Sequence, residues 1–228
     1  PELLMEKKMR ICRFENVESD ARLGAVAADS RVYELPHASL IELVHEARAI
    51  GKTPFQVARE LVLTLRPLDA PFELLPLLVP VQAPEVWAAG VTYVRSREAR
   101  NYESTGGNTQ AMTIYDKVYD AKRPEVFFKS TAARLAGPNR DLHLRSDSNW
   151  QIPEPELGLV LDSRGGILGY TIGNDMSCRD IEGENPLYLP QAKIWKGACS
   201  IGPAITFPES VPDPYAMAIR MVITRNDK

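Results

Sequence analysis

The 228-residue chain has few cysteines and no long apolar run, and both absences narrow the class of protein to which it belongs. Its three cysteines, Cys12, Cys178 and Cys199, form no CxxC pair and are odd in number, so no disulfide framework is expected. No apolar stretch reaches the ~20 residues that span a bilayer. The opening PELLMEKKMR has no apolar signal-peptide core. We therefore expect a protein of the reducing cytoplasm with no membrane partner.

The chain also lacks an excess of basic charge. Its 27 lysines and arginines against 30 acidic residues give a formal net charge of −3 at pH 7, without a polybasic run. Neither nucleic acid nor an anionic membrane is therefore an expected partner. Apolar residues at 44% and charged residues at 25% are typical of a globular protein. The length suits one large domain, or a small domain joined to a larger one.

The first third of the chain is predicted to form a small α/β unit. MRICRFEN and ARLGAVAADSRVYEL are strand-like, and ASLIELVHEARAI has apolar residues at helical spacing that stop before Gly51, a C-cap residue. TPFQVARELVLTL predicts a second helix, with Thr53 as its N-cap and Pro54 at its first position. A proline-rich connector follows, so we place a domain boundary near residue 80.

Beyond residue 80 the sequence consists mainly of short alternating apolar runs separated by turn residues, such as VFFKS, LGLVLD, ILGYTIGN, PAITF and AMAIRMVITR. The segments SREARNYESTGG and AMTIYDKVYDAKRP between them are either helical or loop excursions. The predicted fold class is α+β, with a small α/β domain over residues 1–80 and a larger, mostly β domain over residues 81–228. The last strand-like run has no partner after it, so we expect the larger domain to lack its C-terminal part.

The stretch QIPEPELGLVLDSRGGILGYTIGND places three carboxylates around a predicted hairpin. LGLVLD and ILGYTIGND are strands joined by the glycine-rich SRGG. With residues 164–165 as a two-residue turn, Glu154 faces Asp175, and with residues 165–166 it is Glu156 that faces Asp175. Because opposed side chains share a face and alternate along a strand, either turn puts all three carboxylates on one face. A three-residue turn would direct Asp175 to the other face.

These carboxylates have two interpretations, which the geometry leaves open. Three clustered carboxylates repel one another and resist ionisation unless a cation lies among them. All-oxygen ligands suit a hard ion such as Mg²⁺, Mn²⁺ or Ca²⁺. The alternative is that they are ordinary solvated acids at strand ends.

The same residues closely resemble the fumarylacetoacetate hydrolase family. The elements EPELGLVL, GYTIGNDMSCRD and QAKIWKGACSIGP follow one another as the family's motifs do, over roughly residues 84 to 205. The resemblance implies a mixed β-roll or sandwich for the catalytic domain and a homodimer or homotetramer. It also implies that Glu154, Glu156 and Asp175 bind Mg²⁺ or another divalent ion.

Within that family, YLPQAKIW, CSIGP and PEVFFKS look most like the 2-keto-3-deoxy-pentonate dehydratase branch. The resemblance implies a small keto acid as substrate and dehydration to 2,5-dioxopentanoate in oxidative pentose catabolism. It matches Lys193 to the active-site lysine, Glu125 to an acidic position of the dehydratases, and Lys129 to the lysine of the FxK strand. We expect Glu125 and Lys193 to be the catalytic pair, and a nearby divalent cation to lower the pKa of Lys193.

One departure from the family helps to choose between reactions. Family hydrolases carry a water-activating histidine shortly after a tyrosine, whereas GVTYVRSREAR has Ser96 at that place. Elimination is therefore favoured over hydrolytic C–C cleavage of a diketo acid, which is the alternative activity. Tyr93, Ser96, Arg97 and Lys129 are the candidate substrate-binding residues. A third interpretation is a β-rich module that binds metal without turnover.

Overall fold

A computed structural model describes residues 8–92, 94–108 and 113–226. It has mixed helix and strand content, as predicted. The strands are β1 Arg10–Glu15, β2 Ala21–Val26, β3 Val32–Glu34, β4 Leu77–Leu78, β5 Glu85–Ala89, β6 Val126–Thr131, β7 Leu135–Ala136, β8 Gln151–Ile152, β9 Pro155–Leu161, β10 Ile167–Asp175, β11 Ser177–Cys178 and β12 Cys199–Thr206. The α-helices are α1 Leu40–Ala49, α2 Pro54–Val62, α3 Val94–Thr105, α4 Ile114–Tyr119, α5 Arg179–Glu184 and α6 Leu189–Lys193.

The two predicted N-terminal helices are confirmed, and each begins at a capping residue. The Ser39 side chain accepts a hydrogen bond from the backbone N–H of Glu42 at the start of α1. Thr53 forms a capping box with Gln56 at the start of α2, and Pro54 occupies the first turn. The apolar faces of both helices join strands β1, β2 and β12 in one core cluster. Burial of these faces is what stabilises such short helices.

One large sheet contains strands from both ends of the chain. Its order is β3-β2-β1-β12-β10-β9, with β4 beside β1 and β7 beside β12. β1 pairs antiparallel with β12, so that Arg10 lies opposite Thr206. The sheet therefore crosses the predicted boundary near residue 80, which stays a prediction. In this arrangement β12 lies between the N-terminal strand β1 and the β9–β10 hairpin.

Each of the two segments between β5 and β6 contains a helix within its described residues, so the helical alternative left open by the sequence is the correct one. β5 and β6 pair antiparallel in a separate small sheet, and α3 and α4 lie between them in the chain. We call α3 and α4 the cover helices, because both contribute to the wall of the cavity described below. Within the described ranges, no helix is long and apolar enough to cross a membrane.

The strand predicted from AMAIRMVITR is wrong. Residues 217–224 are irregular, and their large apolar side chains are mostly exposed. A strand needs a neighbour to satisfy its backbone N–H and C=O groups. No strand among the described residues pairs with this segment. Alternating apolar sequence alone was therefore insufficient to form a strand here.

Candidate active site

The β9–β10 hairpin brings the three predicted carboxylates to one end of one face. Gly173 lies opposite Glu156, and the backbone N–H of Asp175 donates to Glu154 O at 2.9 Å. This is the register in which Glu154 faces Asp175, one of the two that the sequence allowed. The Asn174 side chain reinforces it by accepting from the backbone N–H of Glu154 at 3.1 Å.

The turn itself differs from both predicted turns. The backbone N–H of Asp162 donates to Gly166 O at 2.8 Å, which leaves a three-residue loop between them. Such a loop alone would send Asp175 to the opposite face. A one-residue bulge in β10 between Ile167 and Gly169 shifts the register back. Two departures from the expected geometry thus cancel, and the carboxylates share a face.

All three carboxylates line a cavity of about 180 Å³. The floor comes from the hairpin and the walls from the β5–β6 sheet, the cover helices, and the segment containing α5 and α6. The ionisable lining residues are Arg100, Glu125, Glu154, Glu156, Asp175, Glu182 and Lys193, together with the phenol of Tyr115. Apolar and small residues fill the remainder of the wall.

Glu154 is held as a carboxylate by three side chains. Lys193 Nζ donates to Glu154 Oε2, and Ser177 Oγ donates to the same oxygen at 2.5 Å. Arg179 Nη2 donates to the other oxygen, Oε1, at 2.6 Å. Burial alone would raise the pKa of Glu154, but Lys193 and Arg179 outweigh it and hold the pKa at about 2. Glu154 is therefore charged at any working pH.

Glu156 has the opposite character. Burial raises its pKa to about 7, and the neighbouring carboxylates of Asp175 and Glu154 push in the same direction. Asp175 is itself buried, at 4% exposed, and its Oδ1 has no aligned hydrogen-bond donor. Near neutral pH Glu156 is therefore only partly ionised.

Two buried lysines lie against Asp175. Lys193 Nζ is 2.9 Å from Asp175 Oδ2, and Lys129 Nζ is 2.6 Å from Asp175 Oδ1. The Lys129 contact is an ion pair without hydrogen-bond alignment, since Lys129 donates to the backbone oxygens of Met176 and Lys193 at 2.8 and 2.5 Å. Burial lowers the pKa of Lys129 more than Asp175 raises it.

Lys193 is an ammonium in this arrangement. Burial would lower its pKa, but Asp175 and Glu154 together raise it above the usual value. A lowered pKa of Lys193 is expected from the sequence on the assumption of a neighbouring divalent cation. The raised pKa applies to surroundings that contain the carboxylates without that cation. Here the ammonium bridges Glu154 and Asp175 and is also a lining group of the cavity.

The remaining predicted residues divide into three groups. Glu125 and Ser96 line the cavity. Arg97 and Lys129 do not, because Arg97 lies over the Tyr119 ring at 4.5 Å and Lys129 is buried beneath Asp175. Tyr93 lies outside the described residues.

Arg100 and Glu182 line the cavity and were not predicted. Arg100 is 5% exposed, and its Nη2 donates to the Tyr115 hydroxyl at 2.8 Å. The only sequence signal for such residues is charge pairing three residues apart on a helix, Arg100 with Glu103 and Arg179 with Glu182. That spacing is common on solvated helices, so it does not identify a site.

The chemistry of the lining residues fits a hard divalent cation. Three carboxylates share one end of the cavity, Glu156 has a raised pKa, and Asp175 Oδ1 lacks an aligned donor. In the part of the chain that the structure describes, however, no three Asp, Glu, His or Cys side chains are already gathered as a ligand set. The oxygen ligands are of the kind that a hard cation prefers. In this arrangement, however, Glu154 is already paired with Lys193 and Arg179.

Comparison with known proteins identifies the family. The family described as "Fumarylacetoacetate (FAA) hydrolase C-terminal" matches residues 96–228, more than half of the chain. The chain belongs to the fumarylacetoacetate hydrolase family. The matched region contains the β9–β10 hairpin, α5 and α6, and therefore the whole carboxylate and lysine cluster.

Two curated relatives within this family are dehydratases by name. The chain is 45% identical over 215 residues to a probable 2-keto-3-deoxyxylonate dehydratase of Haloferax volcanii, covering 92% of this chain and 72% of that protein. It is 50% identical over 149 residues to the 2-dehydro-3-deoxy-D-arabinonate dehydratase of Saccharolobus solfataricus, covering 65% of this chain. The aligned part spans half the length of that second relative.

Solved structures of family members share the fold. A 2-keto-3-deoxy-D-arabinonate dehydratase complexed with magnesium and 2,5-dioxopentanoate superposes with a TM-score of 0.68 at 33% identity, covering 92% of this chain and 69% of that one. A hexagonal crystal form of 2-keto-3-deoxyarabinonate dehydratase gives a TM-score of 0.69 at 35% identity, with 92% and 70% coverage.

Proposed function

We propose that this family member catalyses the magnesium-dependent dehydration of a 2-keto-3-deoxy-pentonate to 2,5-dioxopentanoate. One observation carries the proposal. Glu125 and Lys193 line the same cavity as three carboxylates that are suited to a hard cation. The likeness to named dehydratases supports the choice of reaction and substrate. Residues Glu154, Glu156 and Asp175 would hold the cation.

The charge of the cavity supports the need for a cation. Among the described lining residues, carboxyl groups outnumber basic groups by five to two. A keto acid is itself an anion, so these carboxylates would repel it. When bound, a divalent ion supplies positive charge that attracts the carboxylate of the substrate and polarises its 2-keto group. The buried Asp175 and the partly buried Glu154 would fix the position of that charge.

Lys193 and Glu125 have complementary roles in the proposed reaction. Glu125 precedes β6 at the cavity wall, and none of the contacts around Glu154 and Asp175 involves its carboxyl group. We propose that it accepts the C3 proton of the substrate. Lys193 is an ammonium whose three N–H groups meet Glu154, Asp175 and the Ser177 hydroxyl. We propose that it donates a hydrogen bond to a substrate oxygen in exchange for one of these acceptors. Ser96 on α3 lines the same space and can bind a substrate hydroxyl.

The proposed reaction balances without an external oxidant or reductant. The C3–H bond and the C4–O bond break, and the C4 hydroxyl leaves as water with one proton. The resulting C3–C4 double bond then moves to C4–C5 as a proton leaves C5 and another returns to C3. Tautomerisation of the C5 enol gives the aldehyde of 2,5-dioxopentanoate. Phe127 and Leu189 add apolar side chains to the wall around this reaction.

The test is product formation from 2-keto-3-deoxy-D-arabinonate, which is the same compound as 2-keto-3-deoxy-D-xylonate, and from its L epimer at C4, with Mg²⁺ or with EDTA. We expect 2,5-dioxopentanoate only with Mg²⁺, and at least a hundredfold lower rate in Glu125→Gln, typical of the loss of a general base. In D₂O, Glu125→Gln should also lose exchange of the C3 protons, measured by NMR. Glu85→Gln, at an exposed site outside the cavity, is the matched control.

A hydrolase would give a different result on the same protein. Release of pyruvate from an acylpyruvate, without dioxopentanoate from either pentonate, would replace dehydration by C–C cleavage. Metal binding with no product from any of these substrates would support a binding module instead. Isothermal titration with Mg²⁺ separates that outcome from a protein that has lost its site altogether.

A further inference from the structure

Cover helix α3 buries almost no apolar side chain against the rest of the fold. Among its residues Arg100 alone is buried, while the larger apolar side chains of Val94 and Tyr102 are exposed. A helix without a buried apolar face depends on polar contacts for its position. The helix nevertheless supplies two lining residues, Ser96 and Arg100, to the cavity. The polar contacts that fix the position of α3 therefore also fix this part of the cavity wall.

Two arginines and two glutamates form a closed ring of ion pairs between α3 and α5. Arg100 Nη1 lies 3.0 Å from Glu103 Oε2, and Arg100 Nη2 lies 2.6 Å from Glu182 Oε1. Arg179 closes the ring, with Nε 3.1 Å from Glu103 Oε2 and Nη1 3.2 Å from Glu182 Oε2. The Nε contact is an ion pair without an aligned hydrogen bond. Each glutamate thus touches both guanidinium groups.

The ring connects directly to the carboxylate cluster. The remaining nitrogen of Arg179, Nη2, donates to Glu154 Oε1 at 2.6 Å. Both arginine side chains are only 6% exposed, so solvent screens these charges weakly. A buried charge tolerates the loss of its partner poorly. Loosening the ring at α3 should therefore change the surroundings of Arg179 and, through it, those of Glu154.

We propose that Arg100 and Glu103 are positioning residues that latch α3 to Arg179 and, through it, to Glu154. The kinetic part of this inference rests on the proposed function. Glu103 is not among the lining residues of the cavity, so an effect of its charge on substrate binding acts through the ring. Arg100 both lines the cavity and belongs to the ring, which makes Glu103 the cleaner residue to change.

The first test is amide hydrogen exchange of residues 94–105, read by mass spectrometry on the metal-free protein. Glu103→Gln keeps the shape of the side chain and removes its charge. Arg100→Met also removes a lining residue of the cavity, and within the ring it leaves only Arg179 to pair with Glu103 and Glu182. Glu98→Gln, at an exposed site on the same helix, is the matched control. We expect exchange about tenfold faster in Glu103→Gln only. Equal exchange in the two variants would overturn the latch.

The second test separates positioning from simple support of the helix. With Mg²⁺ and the pentonate substrate, we expect Glu103→Gln to raise KM at least about fivefold while kcat stays within about twofold. Faster exchange of α3 with unchanged KM and kcat would show that the ring holds the helix without positioning the site, and would refute the proposal. If the wild type converts no keto acid, the proposed function fails, and the exchange comparison still decides whether the latch exists.

Discussion

The buried pair Lys129–Asp175 allows a quantitative prediction about the base of the site. Lys129 is 1% exposed and lies 2.6 Å from Asp175 Oδ1. Removing one partner of a buried ion pair costs about 3–5 kcal/mol, because the other charge is left uncompensated. Asp175 keeps Lys193 as a second partner at 2.9 Å. We therefore expect Lys129→Met to destabilise the fold by about 3 kcal/mol, the lower end of that range.

A double-mutant cycle in EDTA tests whether this cost belongs to the pair. We expect Asp175→Asn to cost about 3 kcal/mol as well, and the double variant to fall short of the sum by about 2–3 kcal/mol. Each single change should lower the thermal midpoint by about 6–12 °C at 2–4 °C per kcal/mol. Lys117→Met, at an exposed position on α4, is the control and should stay within about 0.5 kcal/mol. Additivity of the two changes within about 0.5 kcal/mol would refute the reasoning.

Three further predictions concern packing, pH and thiol reactivity. Gly169→Ala would place a Cβ 2.3 Å from a methyl carbon of the neighbouring strand, so urea denaturation should show a loss of about 1–3 kcal/mol. Gly183→Ala, with no atom within 4 Å of the added carbon, should show no such loss. Because the pKa of Glu156 is raised to about 7, protons compete with Mg²⁺ below that pH. The dissociation constant from titration calorimetry should then rise up to about tenfold per pH unit, and a constant value from pH 6 to 8 would contradict this. Burial raises the pKa of Cys12 and Cys199 to about 12, so a disulfide reagent at pH 8 should label the thiols only after denaturation.

The carboxylate cluster could be predicted from the sequence because it depends only on whether the hairpin loop has an even or an odd number of residues. Side chains alternate along a strand, so any hairpin loop with an even number of residues puts Glu154, Glu156 and Asp175 on one face. The actual route to that face was not predictable in the same way. The three-residue loop and the bulge after Ile167 are two separate irregularities, and the sequence carries no strong signal for the bulge. The prediction of the face succeeded because the two irregularities compensate.

Longer-range features could not be inferred from local patterns. The pairing of β1 with β12 joins segments almost two hundred residues apart, and nothing near Ile11 specifies Ile205 as its neighbour. The ring of ion pairs could not be predicted for the same reason. Arg100 and Glu103 are spaced as helical neighbours, but their partners on α5 lie far along the chain. Such contacts are set by packing of the whole fold rather than by the spacing of charges.

The clearest limit of sequence reasoning is the difference between two glutamates of one motif. Glu154 and Glu156 are two residues apart, share a face, and are the same letter in the sequence. Lys193 and Arg179 overcome the burial of Glu154 and hold its pKa at about 2, whereas burial and two carboxylates raise that of Glu156 to about 7. Glu154 is therefore permanently charged, and Glu156 is the residue whose ionisation depends on a nearby cation. Roles that differ in this way come from the neighbours of a side chain, so they can be assigned only after those neighbours are known.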